Sequence, residues 1–226
     1  MPIRFLDAFL LLLSVAAPAN ASVQEILWTP APGPLEQAIG YPHDGFLAHA
    51  TSLDFEGTGF IKIVRPRHRH FGTREIVGMI HAVALEINHM FPSGEPMQIG
   101  DISQFQGGDI NLHASHENGL DVDIVYLDRL RRTQDPMDTD GLHVRMVTNG
   151  VLSPQFDSER NWEMVKSFFT NASIRRIFVD RQVKRALCRQ AQALGELTTH
   201  SEVLRALTPL DHHDDHMHVR LRCPST

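Results

Sequence analysis

Two short segments concentrate side chains that bind metal ions and carry protons. The first, residues 113–123, reads HASHENGLDVD, and the second, residues 212–222, reads HHDDHMHVRLR. Imidazole is the commonest metal ligand in proteins, and it changes charge near neutral pH. The chain has 14 histidines against 12 Phe, 2 Trp and 2 Tyr, so histidine is in surplus, and these two segments hold six of them.

The first segment ends in a predicted strand, residues 120–126, whose two carboxylates share a face. Leu120, Val122 and Ile124 alternate with Asp121 and Asp123, and successive side chains of a strand point to opposite faces. We expect the apolar set to face the core. A buried carboxylate is costly unless it is paired or bound to a metal. The alternative is that both aspartates point to water on a half-exposed sheet.

The second segment predicts a closing strand over residues 216–223 that brings two histidines together. Residues two apart share a face, so His216 and His218 can converge on one point. The opposite face is apolar and consists of Met217, Val219, Leu221 and Cys223. The alternative is a surface histidine cluster that scavenges metal without function.

Together the segments offer His116, Asp123 and His218 as ligands of one metal ion. Three nitrogen and oxygen ligands with an open fourth position are typical of catalytic zinc. A structural zinc site more often has four ligands with thiolates among them, and neither of the two cysteines is in the right place to serve as one.

The elements that must position these residues predict an α+β fold. Strands and helices are mixed without a strict βαβ order, so we expect a single domain with a central antiparallel sheet flanked by helices. The helix over 73–91 has apolar residues at helical spacing and Thr73 as its N-cap. The other predicted elements are strands over 97–102 and 174–179, a helix around 162–169, and a helix over 182–194 that ends at Gly195.

The N-terminus indicates export. Arg4, an apolar run over 8–17 and the sequence Ala19-Asn20-Ala21 predict a secretory signal peptide over 1–21, followed by a domain over 22–226. The apolar run is too short to anchor the chain in a bilayer. The net charge of -6 argues against a nucleic-acid partner, and two cysteines exclude a disulfide-rich scaffold.

Beyond these patterns, the chain resembles the LAS class of zinc peptidases, which shares its fold with hedgehog-like proteins, and within it the penicillin-insensitive murein endopeptidase family. The resemblance rests on SHENGLDVD, the closing HMHVRLRCP, IGD at 99–101, DGLH at 140–143 and RIFVDRQVKRALC at 176–188. It covers nearly all of residues 22–226. It implies a periplasmic endopeptidase that cuts D-alanyl to meso-diaminopimelyl cross-links between peptidoglycan stem peptides.

The resemblance also implies roles for individual residues. His116, Asp123 and His218 would be the primary Zn²⁺ ligands, and His213 and His216 the further active-site histidines. Three more positions match family residues that can take metal, in a second or accessory ion: His113, Asp140 and His143. In relatives with a longer C-terminal tail, Cys188 and Cys223 would pair with tail cysteines. Without those partners they either bridge each other or stay reduced and buried.

The sequence predicts that histidines do the proton transfer. No helical H-E-x-x-H motif occurs, and no glutamate lies within residues 211–220. Acid-base work therefore falls to His213 and His216, with Asp214 and Asp215 as candidates to orient them.

Three rival functions remain open. A zinc D-alanyl-D-alanine carboxypeptidase or dipeptidase would use the same site, but those relatives have a glutamate near the final histidine. A non-catalytic zinc-bearing binding module would not need His213 and His216. A periplasmic zinc buffer would bind several ions weakly. The sequence assigns neither an oligomeric state nor a preferred cross-link, and it predicts no stable membrane insertion.

Overall fold

The computed structural model describes residues 37–140 and 144–223. The predicted signal peptide over 1–21, residues 22–36 and His143 lie outside the described residues. The strands are β1 (Gln37–Tyr41), β2 (Asp44–Ala48), β3 (Thr51–Ser52), β4 (Glu56–Gly57), β5 (Phe60–Lys62), β6 (Phe71–Gly72), β7 (Met97–Ile99), β8 (Asp121–Val125), β9 (Val147–Thr148), β10 (Val151–Leu152), β11 (Ile174–Val179), β12 (Leu207–Pro209) and β13 (His216–Leu221). The α-helices are α1 (Arg74–Met90), α2 (Ser158–Asn171), α3 (Arg181–Ala193) and α4 (Ser201–Ala206).

A seven-stranded sheet in the order β12-β11-β13-β8-β7-β5-β4 organises the fold. The predicted α+β class is confirmed, and the three central pairings, β11 with β13, β13 with β8 and β8 with β7, are antiparallel. Two pairings toward the edges, β11 with β12 and β5 with β7, are parallel. The sheet is therefore mixed with an antiparallel centre, and the carriers of the two histidine segments, β8 and β13, are neighbours.

The helices and the polar residues occupy opposite faces of the central strands. Apolar residues of β8 and β13 share one hydrophobic core with α1, α2 and α3. These strand residues are Val122, Ile124, Met217, Val219 and Leu221. Since strand side chains alternate, the aspartates and histidines between them point away from the helices. The predicted apolar faces of both strands are confirmed, except that Cys223 lies beyond β13 and is exposed.

The longer elements match their predictions to within a few residues. Helix α1 begins after Thr73, whose Oγ1 accepts a hydrogen bond from the backbone N–H of Ile76 at 3.4 Å. Helix α3 ends one residue before the predicted Leu194, and Gly195 follows with φ of 72°. The strand predicted over 97–102 ends at Ile99. The short strands β3, β4, β6, β9 and β10, of two residues each, were not predicted.

Two further findings concern the membrane and the cysteines. No helix among the described residues combines the length and the apolar composition that a bilayer crossing requires. Cys188 and Cys223 are both free, so they do not bridge each other in the structure. Cys188 is half-buried and Cys223 is exposed, which contradicts the alternative that both are buried.

Candidate metal centre

The register between β8 and β13 brings the two histidine segments together. His218 lies directly opposite Asp123, and Arg220 lies directly opposite Asp121. Directly opposed residues of an antiparallel pair have Cβ atoms about 4.5–5.5 Å apart. The side chains of Asp123 and His218 therefore meet on the sheet face that the helices leave free.

Asp123 is the centre of the cluster. Its Oδ1 lies 3.3 Å from Nε2 of His116, 3.4 Å from Nδ1 of His218 and 3.6 Å from Nε2 of His216. Its Oδ2 lies 3.7 Å from Nδ1 of His113. The carboxylate is 3% exposed, so the alternative that it points to water is wrong. Four imidazoles from both segments thus surround one buried carboxylate.

Asp123 differs from the other two buried carboxylates of this region. Asp101 is paired with two arginines, and Asp121 is paired with Arg220. Within the described residues, the ion-pair contacts of Asp123 are all with histidines. A buried carboxylate without a permanent cation needs either protonated imidazole or a metal ion beside it.

His116 is held in an unusual backbone conformation. Its φ is 76°, a left-handed value that is uncommon for a residue other than glycine and recurs at functional sites. Its backbone N–H donates to Oδ2 of Asp121 at 3.1 Å, and its Nδ1 lies 2.6 Å from the carbonyl oxygen of Ile102. A carbonyl only accepts, so Nδ1 carries a hydrogen, and Nε2, which faces Asp123, is the nitrogen left to bind a proton or a metal ion.

Asp121 contacts two of the predicted ligands, His116 and His218. It accepts two hydrogen bonds from Arg220, at 2.7 Å from Nε and 2.8 Å from Nη2. Its Oδ1 also lies 3.3 Å from Nε2 of His218. This is an ion-pair contact and not a hydrogen bond, because Nε2 of His218 has no hydrogen-bond partner in the described part of the chain. For His218 the nitrogen that faces Asp123 is Nδ1.

The residues present fit a zinc ion. Nε2 of His116 and Oδ1 of Asp123 are buried and have no hydrogen-bond partner in the described part of the chain. Zn–N and Zn–O bonds of about 2.0–2.1 Å in a tetrahedron place ligand atoms about 3.3–3.4 Å apart. The contacts of His116 and His218 with Oδ1 measure 3.3 and 3.4 Å. Among the described residues, the group whose ligand atoms all lie within 4.8 Å of one another consists of the trio His113, His116 and Asp123, and the predicted ligand His218 is not part of it.

The carboxylate also sets the charge of the nearby imidazoles. Burial lowers the pKa of His116, but Asp123 outweighs it and raises that pKa to about 9. A metal ion that binds here must therefore displace a proton, so binding should release protons.

His216 and His213 lie beside this cluster and differ in their surroundings. Nδ1 of His216 is 2.5 Å from Oδ1 of Asp215, which leaves Nε2 toward Asp123. Burial opposes the charge on His216, but Asp123 and Asp215 outweigh it and raise its pKa. Nδ1 of His213 lies 2.9 Å from the carbonyl oxygen of Asp211, and burial lowers the pKa of this ring to about 4. The two ring centroids are 5.1 Å apart.

An open cavity of about 450 Å³ lies next to the cluster and exposes part of it to solvent. Asp123, His113 and His216 line it, and Asp140 lies at its exposed rim. Asp140 is outside the tight trio, and His143, predicted with it, lies outside the described residues. The residues that line the cavity do not include His116, His213 or His218.

Sequence reasoning missed the residues that hold the cluster from the side. Asp101, Arg67 and Arg69 form an ion cluster in contact with His113, and none was singled out individually. The available signals are the alternation Arg67-His68-Arg69 and the IGD motif at 99–101, which ends in Asp101. Neither indicates that the three side chains meet.

Comparisons with known proteins identify the family of the chain. A family model described as penicillin-insensitive murein endopeptidase matches residues 38–226. A protein of that name from Escherichia coli O157:H7 (strain EC4115 / EHEC) is 30% identical over 229 residues, which cover 96% of this chain and 77% of the relative. Proteins of the same name from Citrobacter koseri and Klebsiella pneumoniae (strain 342) are each 31% identical with the same coverage. The chain therefore belongs to the penicillin-insensitive murein endopeptidase family.

Proposed function

We propose that the chain is a zinc-dependent endopeptidase that cleaves D-alanyl to meso-diaminopimelyl cross-links between peptidoglycan stem peptides in the periplasm. The observation that carries the proposal is the buried Asp123 carboxylate, with imidazole nitrogens of His116 and His218 at 3.3 and 3.4 Å. The names of the relatives support the substrate class. Export through the signal peptide predicted over 1–21 would deliver the enzyme to that substrate.

His116, Asp123 and His218 would hold the zinc ion. His113 contacts the other oxygen of Asp123 and would act as an additional ligand or, with Asp140 and His143, hold an accessory ion. When bound, zinc supplies Lewis acidity that polarises a carbonyl group and makes water easier to deprotonate. The open cavity leaves room for a peptide to reach this point.

His216 and His213 would move the protons. His216 faces the cavity, and Asp215 fixes its ring with Nε2 toward Asp123, so it would donate a proton to the leaving amine. His213 donates Nδ1–H to a carbonyl, so its Nε2 is an acceptor. Because burial keeps His213 neutral, it would act as the second active-site histidine through the lone pair of Nε2.

The rival functions make different use of the same residues. A carboxypeptidase or dipeptidase of the related type has a glutamate near the final histidine, and here Asp214 and Asp215 occupy the residues before His216. A binding module or a zinc buffer does not require a histidine oriented by a carboxylate beside the centre. The pair of His216 and Asp215 therefore favours the endopeptidase.

The product pattern tests the proposal. The zinc-loaded protein is incubated separately with purified dimeric and monomeric muropeptides, and the products are separated by chromatography. An endopeptidase converts dimers to monomers and leaves monomers unchanged. Loss of a terminal D-alanine from monomers, with dimers left intact, would indicate the carboxypeptidase. No product from either substrate would favour a binding protein.

A further inference from the structure

Asp101 is a buried carboxylate that lies beside the centre without belonging to the proposed ligands. It follows Gly100 at the end of β7 and is 2% exposed. The backbone N–H of Asp123 donates to its carbonyl oxygen at 3.0 Å, and Gly100 donates to the carbonyl oxygen of Asp123 at 2.8 Å. A Cβ on Gly100 would lie 3.0 Å from Cβ of Asp123, so glycine permits this close approach. The backbone of Asp101 is therefore locked to that of Asp123.

One oxygen of Asp101 collects three nitrogen contacts. Oδ2 accepts from Nη1 of Arg67 at 3.1 Å and from Nη1 of Arg69 at 3.0 Å. The third contact is Nε2 of His113 at 2.9 Å. Two guanidinium groups favour the ionised carboxylate, which has no hydrogen to donate. The hydrogen between Asp101 and His113 therefore belongs to Nε2 of His113.

This hydrogen bond decides which nitrogen of His113 can bind a metal ion. With Nε2 protonated, Nδ1 keeps its lone pair, and Nδ1 is the atom that lies 3.7 Å from Oδ2 of Asp123. We infer that Asp101 is a positioning residue that orients His113 as a metal ligand, with Arg67 and Arg69 holding its carboxylate in place. The inference rests on the proposed function, because it requires that the centre binds a metal ion.

The two arginines also connect this arrangement to the walls of the cavity. Arg67 donates from Nη2 to the carbonyl oxygen of Thr139 at 2.7 Å, and Arg69 donates to that of Asn111 at 2.8 Å. These carbonyls lie next to Asp140 and two residues before His113. Arg67 and Arg69 therefore hold the two loops that contain Thr139 and Asn111 close to Asp101.

The tautomer of His113 tests the inference in the unmodified protein. Nitrogen-15 NMR of the imidazole rings in the zinc-loaded protein should show His113 protonated at Nε2, with the Nδ1 resonance shifted by the metal. The variant His113→Ala identifies the resonance by its disappearance. A hydrogen on Nδ1 would overturn the inference, and this measurement does not depend on whether any Asp101 variant folds.

Zinc affinity of the metal-free protein, measured by competition with a chromophoric chelator, gives a second test. Asp101→Ala should bind zinc about 10- to 100-fold more weakly than the wild-type protein, the usual effect of removing a group that orients a ligand. Asp128→Ala is the matched control, because Asp128 is also 2% exposed and pairs with an arginine, Arg132, at 2.7 Å. It should leave zinc affinity unchanged.

A double-mutant cycle separates positioning of His113 from a general structural effect. If Asp101 acts through His113, Asp101→Ala should cause no further loss of zinc affinity in the His113→Ala background. An equal loss in both backgrounds, or wild-type affinity in Asp101→Ala, would overturn the inference while the proposed zinc site stands. A wild-type protein that bound no zinc would overturn both.

Discussion

Breaking the ion pair of Asp121 and Arg220 should destabilise the protein substantially, because the carboxylate is buried. Asp121 is fully buried and accepts two hydrogen bonds from Arg220 at 2.7 and 2.8 Å. The change Asp121→Ala leaves the guanidinium without its partner and removes the acceptor for the backbone N–H of His116. Removing one partner of a buried pair costs about 3–5 kcal/mol.

Two features of Arg220 indicate that the free energy lost in Asp121→Ala lies at the lower end of this range. Its side chain is 16% exposed, so water reaches part of it, and it lies over the ring of Phe178 at 5.3 Å, a contact that the variant keeps. We therefore expect a loss of about 3 kcal/mol, a large share of the 5–15 kcal/mol typical of a domain. In a domain of this size that loss corresponds to a fall in Tm of about 6–12 °C.

Urea unfolding of the metal-free protein measures this loss, and Asp128→Ala is the control. Arg132, the partner of Asp128, is 43% exposed, so the control should lose only about 1 kcal/mol or less from this pair. Equal losses in the two variants, or a change below about 0.5 kcal/mol in Asp121→Ala, the usual range for surface substitutions, would show that the buried pair does not carry this stability.

The stabilisation should also depend on pH in a defined direction. Burial opposes ionisation of Asp121, but His218 and Arg220 outweigh it and hold its pKa well below the usual range. A carboxylate whose folded pKa is depressed contributes stability above its unfolded pKa of about 3.9 and loses it as the pH falls further. The difference between wild type and Asp121→Ala should therefore be full at neutral pH and shrink below about pH 4. A difference that grew in acid would contradict the assignment.

Three other substitutions have expected outcomes. His216→Ala should keep zinc near one ion per chain by metal analysis but lose cleavage of dimeric muropeptides; loss of the metal would show that His216 is a ligand. His218→Ala should lose both zinc and activity, and retained zinc would remove it from the ligand set. Gly119→Ala should cost more in urea unfolding than Gly150→Ala: both glycines have φ near 72°, but an added Cβ meets Leu47 at 2.7 Å only at the first. The left-handed conformation alone costs about 1–2 kcal/mol, so equal losses would mean that the crowding at Gly119 is relieved.

Sequence patterns predicted the elements that carry the site. The alternation in β8 and β13 is long enough to indicate strands and to separate an apolar face from a polar one. It could not indicate whether the polar face meets water. Asp121 and Asp123 are buried because the loop that carries His113 and His116, together with residues 67–69, covers that face. The burial of this face depends on contacts between residues far apart in the sequence. The alternating pattern of one strand carries no information about such contacts.

Three other features could not be predicted from the local sequence. The left-handed backbone of His116 is a conformation that sequence predicts for glycine, and tertiary contacts impose it here. Asp101 contacts Arg69 across 32 residues of sequence, and no periodicity relates the two positions. Strands of two residues are too short to show any period, which explains why β3 and β6 were missed.

The proposal that the chain is a zinc-dependent endopeptidase is tested most directly by cleavage of a purified cross-linked dimer with and without zinc. Metal is removed with a chelator, and Zn²⁺ is added back stepwise while the conversion of dimeric to monomeric muropeptide is followed. We expect no conversion by the metal-free protein, full restoration near one zinc ion per chain, and no recovery in His218→Ala. Full conversion by the metal-free protein, or none after zinc is restored, would contradict the proposal.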